Sequence, residues 1–237
     1  MCVISVLLGE GRKLAAFISL DAFAVVVGGS LGAALIVLNS RDLNSIRDSI
    51  PGLVGLFEDP RPKIADIFSR LISSNRRHGR LKLEEIIPEI EQPPFAAAVQ
   101  QYVDGTEIDV ILQILDTEKE RIERKGHIAA NFFENLGGFA PTFGIVGTVI
   151  SLVSVLSHLN EPQMLAQGVA EAFIATFYGV LFANLVFLPL SMRVYGLTHY
   201  QKETLDMIST GMRALEKEEH PLLVVERLRV YLHQGDK

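Results

Sequence analysis

Apolar positions in this chain come in two arrangements. In the first they run without a period: residues 17–38, 135–157 and 168–192 are almost entirely apolar or small. A hydrocarbon core of about 30 Å needs about 20 such residues at a helical rise of about 1.5 Å each, so each run predicts a membrane-spanning helix. The first run stops at Asn39, Ser40, Arg41 and Asp42, and the third at Arg193. The link between the second and third, Ser157 to Gly168, is short and contains Pro162, which predicts an antiparallel hairpin. Residues 1–11 open with the apolar MCVISVLL, eight residues that reach only about 12 Å as a helix. They read as an interfacial stub or as the end of a first span whose beginning is absent.

In the second arrangement apolar positions recur at helical period among charges. Ile64, Ile67, Phe68, Leu71 and Ile72 follow the i, i+3, i+4, i+7, i+8 pattern of an amphipathic helix. Val110, Ile111, Ile114 and Leu115 begin another, which continues through the alternating charges of Thr117 to Lys125 towards the span at 135. Most of the charges from Asp116 to Lys125 read as a solvated face. Pro88, Pro93, Pro94 and the pair Asp104, Gly105 break the region into pieces. The tail, 193–237, is helical by pattern, with Pro221 ending one segment and beginning the next. The fold class is therefore an all-α integral membrane protein: spans at 17–38, 135–157 and 168–192, a helical polar domain at 39–134, and a helical tail.

Composition sharpens this picture. The chain has 237 residues, 49% of them hydrophobic and 21% charged, and the charges are segregated. Residues 135–192 hold only Glu161 and Glu171, and residues 14–40 only Asp21. Of the 22 Lys and Arg, 13 lie between Arg41 and Lys125 and seven from Arg193 onward. Basic residues mark cytoplasmic segments, so the 39–134 domain and the tail are expected inside the cell. An even number of crossings before the large loop places the N-terminus inside too. A net charge of −6 without a basic tract argues against nucleic acid as a partner. A lone Cys2, with six scattered histidines, leaves no disulfide framework and no metal cluster, and no nucleophile paired with a base points to catalysis.

Small residues at four-residue spacing mark close helix contacts in lipid: Gly28 with Gly32, Gly147 with Ser151, and Ala175, Gly179, Ala183. They read equally as packing within the chain or as faces for further copies. Polar groups inside the hairpin are Thr148, Ser151 and Ser154 on one arm and Thr176, Tyr178 and Asn184 on the other. Counted from a tip near Glu161, Thr148 and Thr176 both lie about 20 Å down, and so share a depth. Their hydroxyls either line an ion-accessible seam or bond back to carbonyls one turn earlier. No carboxylate, histidine or lysine lies deep in any span, although ion pathways ordinarily use one, so a second chain is expected to bring the titrating group. Pro141 removes the donor that the Gly137 carbonyl would otherwise receive, a place for the helix to bend.

The segments GGFAPTFGIVGTVISLVSVLSHL (137–159) and GVAEAFIATFYGVLFANLVFLPL (168–190) resemble the last two membrane helices of the MotA family, the flagellar stator subunits. GGSLGAAL (28–35), RRHGRLKLEE (76–85), DG (104–105) and HPLLVVERLRVYL (220–232) extend the resemblance, in family order, over nearly the whole chain. It implies four membrane helices, the first truncated here, in the bacterial inner membrane. It further implies about five copies around a dimer of a MotB-type single-span partner, whose aspartate carries the ion. By motif position it implies that Arg76 and Glu84, with Arg77 adjacent, contact the rotor protein FliG. Pro141 and Pro221 match its functional prolines, and Thr148 and Thr176 its hydroxyls around the ion path. Sodium-driven relatives resemble LLTT where this chain has FIAT (173–176), so Ala175 replaces one hydroxyl and the proton is the expected ion, although sodium types also carry Thr148. No cofactor is implied. The competing readings are a TolQ/ExbB-type energiser, which has one span before its loop, and a solute transporter, which would ordinarily show an inverted repeat.

Overall fold

The computed structural model describes residues 17–39, 42–54, 59–157 and 162–232. Among them all regular structure is helical. The helices are α1 (Leu20–Val37), α2 (Leu43–Val54), α3 (Arg61–His78), α4 (Pro93–Val103), α5 (Ile108–Ser157), α6 (Pro162–Phe182, continuing as Leu188–Glu216) and α7 (Pro221–Leu232). Short 3-10 turns, Arg80–Glu85 and Ile87–Glu89, join α3 to α4. Three helices, α1, α5 and α6, are long and apolar enough to cross a membrane. Residues 1–11, read above as the end of a span, lie outside the described residues. Contacts divide the chain into a membrane unit (1–48 and 128–194) and a polar unit (49–127 and 195–237), with α5 and α6 contributing to both.

In the membrane unit the hairpin is a contact of backbones. A Cβ placed on Gly179 would lie 2.7 Å from the Ala140 carbonyl oxygen and 3.1 Å from the Cα atoms of Gly144 and Pro141. One on Gly144 would lie 3.1 Å from the Ala175 carbonyl, and one on Gly147 2.8 Å from the Ala175 Cβ. These neighbours are main chain or stub side chain and cannot swing aside. Gly28 and Gly32, by contrast, have nothing among the described residues within 4 Å of their Cβ positions. Pro141 lies inside the unbroken α5. The α1 helix starts at Ser19, whose hydroxyl accepts from the Ala22 N–H at 3.2 Å. Tyr178 on α6 reaches this start, its hydroxyl donating to the Phe17 carbonyl at 2.6 Å. Both α1 and α6 contain one widened turn, Ala24–Gly28 and Ala183–Phe187. Polar side chains serve the carbonyls there: Ser30 Oγ donates to Val26 O at 2.5 Å, and Asn184 Nδ2 to Val180 O at 2.9 Å.

The polar unit has its own apolar core. Ile64, Ile67, Phe68, Leu71 and Ile72 are all buried, as their spacing requires of one helix face. Phe68 stacks on Phe95 of α4 with centroids 4.5 Å apart, and Leu83 closes the core from the 3-10 turn. The stripe beginning α5 behaves differently. Ile111 and Leu115 are buried, but Val110 and Ile114 are exposed, because only one side of that helix meets α4 and α6. The charges after them are not simply a solvated face either. Lys119 pairs with Asp206 at 2.5 Å and Glu123 with Lys202 at 2.5 Å, cross-linking α5 to α6. Arg61 is buried, held by Asp59 at 3.0 Å and Glu203 at 3.2 Å, with its guanidinium 4.1 Å over the Tyr200 ring. A buried cation needs such pairing on every side.

The glycine contact yields a direct test. Gly179→Ala must push the hairpin helices apart and lower stability by about 1–3 kcal/mol, whereas Gly138→Ala, with nothing within 4 Å, should cost well under 1 kcal/mol. Thermal unfolding of both variants in detergent separates the two; equal melting temperatures would contradict the backbone contact.

Candidate functional site

Two groups of side chains stand out. The first is in the hairpin, where the glycine contact brings Thr148 and Thr176 within 2.6 Å of each other, oxygen to oxygen. Thr148 Oγ1 also lies 3.0 Å from the Gly144 carbonyl and 3.1 Å from the Ala172 carbonyl. A threonine hydroxyl has one proton and two lone pairs, so these contacts cannot all be donations. With the Thr148 proton on a carbonyl, Thr176 donates to Thr148 and shows acceptor lone pairs to the outside. With the Thr148 proton on Thr176, the Thr176 proton is released outward instead. Thr176 is exposed, so a neutral hydroxyl pair able to act as donor or acceptor faces away from the hairpin. The two hydroxyls meet across the hairpin, and Thr148 also reaches the carbonyl of Gly144 one turn earlier in its own helix and that of Ala172 on the other arm.

Ala175 is buried in the same contact, against Gly147. It also borders a recess of about 50 Å³ lined by Ser19, Asp21, Ser151 and Glu171. Asp21 and Glu171 are far apart in sequence, and only the packing of α1 on the hairpin brings them to one recess. Sequence spacing gives no sign of this convergence. The same holds for Tyr178, which the sequence offers as one polar residue of a span and which the structure ties to the start of α1.

The second group lies in the polar unit where α3 ends. Gly79 stops the helix with a φ of 79°, a conformation glycine adopts without a steric penalty. Arg76 and Arg77 in the last turn of α3, and Glu84 in the 3-10 turn, are exposed. None of the three has an ion-pair partner among the described residues, whereas neighbouring charges do: Arg70 with Glu89 at 2.6 Å, Lys82 with Glu85 at 2.5 Å, Arg80 with Glu216 at 2.9 Å. Unpaired cations and an unpaired carboxylate flank a glycine break, an arrangement suited to electrostatic contact with another macromolecule. Behind them Tyr102 is buried, and that burial raises its phenol above the usual tyrosine value while Arg80 beside it pulls the other way. Pro221 stands apart as the first residue of α7, pre-set for a helix start.

The hydroxyl pair predicts coupling. Thr148→Val and Thr176→Val should each cost about 0.6–1.5 kcal/mol, and the double variant less than their sum, since either change alone breaks the shared bond. Thermal unfolding of the four proteins in detergent gives the cycle; strict additivity would show that the two hydroxyls do not interact.

Comparison with known proteins places this geometry. The model of the MotA/TolQ/ExbB proton channel family matches residues 87–207, half of the chain, including both arms of the hairpin. Motility protein A of Borreliella burgdorferi is 26% identical over 228 residues, covering 94% of this chain and 86% of that protein. The uncharacterised protein YtxD of Bacillus subtilis is 28% identical over 230 residues, covering 97% and 85%. A chain of the solved C. jejuni MotAB structure superposes with a TM-score of 0.89 at 23% identity, covering 99% of this chain and 93% of that one. With its three apolar helices, its glycine-packed hairpin and this match, the chain belongs to the MotA/TolQ/ExbB proton channel family and is a multi-pass protein of the bacterial inner membrane.

Proposed function

We propose that this chain is a stator subunit of the bacterial flagellar motor. About five copies surround a dimer of a MotB-type single-span partner, and proton flow through the assembly produces torque on the rotor protein FliG. The observation that carries the reading is the Thr148–Thr176 hydroxyl pair, 2.6 Å apart in spans that hold no deep carboxylate, histidine or lysine. Hydroxyls with no fixed charge can hydrogen-bond to a carboxylate and to a carboxylic acid alike. They therefore suit a path in which a partner's aspartate is protonated and released. Gly28 and Gly32, open among the described residues, are then faces for neighbouring copies, and lipid covers the remaining apolar surface.

Arg76, Arg77 and Glu84, unpaired among the described residues, act on the rotor, and Pro141 and Pro221 are the positions where the helices yield. The basic segments 41–125 and 193–237 face the cytoplasm, as do both termini. Several relatives named Motility protein A match along almost the whole chain, which favours the flagellar reading over an envelope energiser of the same family. The proton is the ion because sodium must exchange its hydration shell for several oxygens, and the Ala175 side chain adds none to those of the two threonines. Swimming of a stator-deficient host carrying this chain and its partner tests the reading. Speed should be unchanged in sodium-free medium at constant proton-motive force. Rotation that stops there and returns with sodium would overturn the proton assignment, and no swimming in either medium would overturn the stator reading.

A further inference from the structure

The charged turn is fastened at three points, and one of them is unusual. Its first fastening is helical: the Gly79 N–H donates to the Asn75 carbonyl at 2.9 Å. The second is apolar, with Leu83 fully buried in the core of the polar unit. The third is Arg80, whose guanidinium lies 4.3 Å over the Tyr102 ring while it pairs with Glu216 at 2.9 Å. Glu216 is the last residue of α6, where a carboxylate opposes the helix dipole. Helix stability alone would favour a basic residue there. Tyr102 in turn is buried, and its hydroxyl receives the buried Asn75 amide at 3.4 Å. A solvent-exposed ion pair by itself holds little, but a planar cation stacked on a buried ring has one resting place.

We propose that Arg80 is a positioning residue for the rotor contact: stacked on Tyr102 and paired with Glu216, it fixes to the end of α6 the turn that presents Glu84 beside Arg76 and Arg77 of α3. The proposal rests on the rotor reading given above. Among the described residues Arg80–Glu216 is the ion pair that joins residues 79–85 to α6. Without it the turn keeps Leu83 and the end of α3 but loses its hold between them. Charges on a loosened turn still attract a rotor surface, but they sample many positions and transmit less force. Lysine would keep the charge at 80 and lose the planar stack, so Arg80→Lys should behave nearly like Arg80→Ala.

The test is a cycle on swimming speed in cells whose membrane levels of each variant are matched. Arg80→Ala and Glu216→Gln should each lower speed about two-fold or more, and the exchange Arg80→Glu with Glu216→Arg should recover little of what either reversal loses alone, because it restores the ion pair but not the stack on Tyr102. Glu84→Lys should then cost less in the Arg80→Ala background than in the parent, because the charge it reverses is no longer held in place. Amide exchange of the purified full chain should quicken about ten-fold or more at residues 79–85 in both single variants, with α4 and α7 unchanged. Equal cost of Glu84→Lys in both backgrounds, or unchanged exchange at 79–85, would overturn the positioning role. If Glu84→Lys is harmless in the parent, the rotor reading itself fails and the proposal with it. Should Arg80→Ala not accumulate, Glu216→Gln carries the same comparison.

Discussion

The membrane unit depends on two backbones lying closer than side chains allow. Gly144 on α5 and Gly179 on α6 face each other where a Cβ on either would meet main-chain atoms at 2.7–3.3 Å. In lipid no hydrophobic force drives helices together, so close contact and interhelical hydrogen bonds must hold them. The approach of those glycines is what brings Thr148 and Thr176 to 2.6 Å one turn away. It also excludes bulk, leaving room there for methyl groups and hydroxyls and for nothing larger. A seam built this way offers hydrogen bonds without fixed charge. On the function proposed above, that makes the subunit the wall of a path whose titrating group belongs to another chain.

The polar unit solves the opposite problem, a surplus of charge. Some charges are buried and fully matched, as Arg61 is by Asp59, Glu203 and the Tyr200 ring. Others cross-link α5 to α6, as Lys119 does with Asp206. Against that background the lack of ion-pair partners for Arg76, Arg77 and Glu84 is informative. They sit on a segment anchored by Leu83 and Arg80, so the same short stretch combines a fixed backbone with charges left for another surface.

Much of this was legible in the sequence because the governing signals are local. A continuous apolar run reports a span, and the period of Ile64 to Ile72 reports a buried face; both survived folding. Equal depth in an antiparallel hairpin is arithmetic, so Thr148 and Thr176 could be paired without coordinates. What stayed illegible depends on rotation and distant packing. Nothing in the spacing distinguishes Gly144 and Gly179, which touch backbone, from Gly28 and Gly32, which meet nothing among the described residues. The charge run after Asp116 has the same composition whether solvated or paired, and only the position of α6 decides that Lys119 and Glu123 are paired. Arg80 looks like one more cation in a basic stretch until Tyr102 and Glu216 are found beside it.

The central claim, that this subunit supplies hydroxyls and a partner supplies the titrating carboxylate, is tested most directly by proton flux in liposomes. Vesicles loaded with a pH-sensitive dye and given a potassium–valinomycin potential would contain the purified chain alone, or the chain co-purified with its single-span partner made permeant by removal of any plugging segment. The account predicts flux no greater than that of empty vesicles for the chain alone, and flux that appears with the partner and vanishes when the partner's membrane aspartate is changed to asparagine. Proton flux through the chain alone would contradict it.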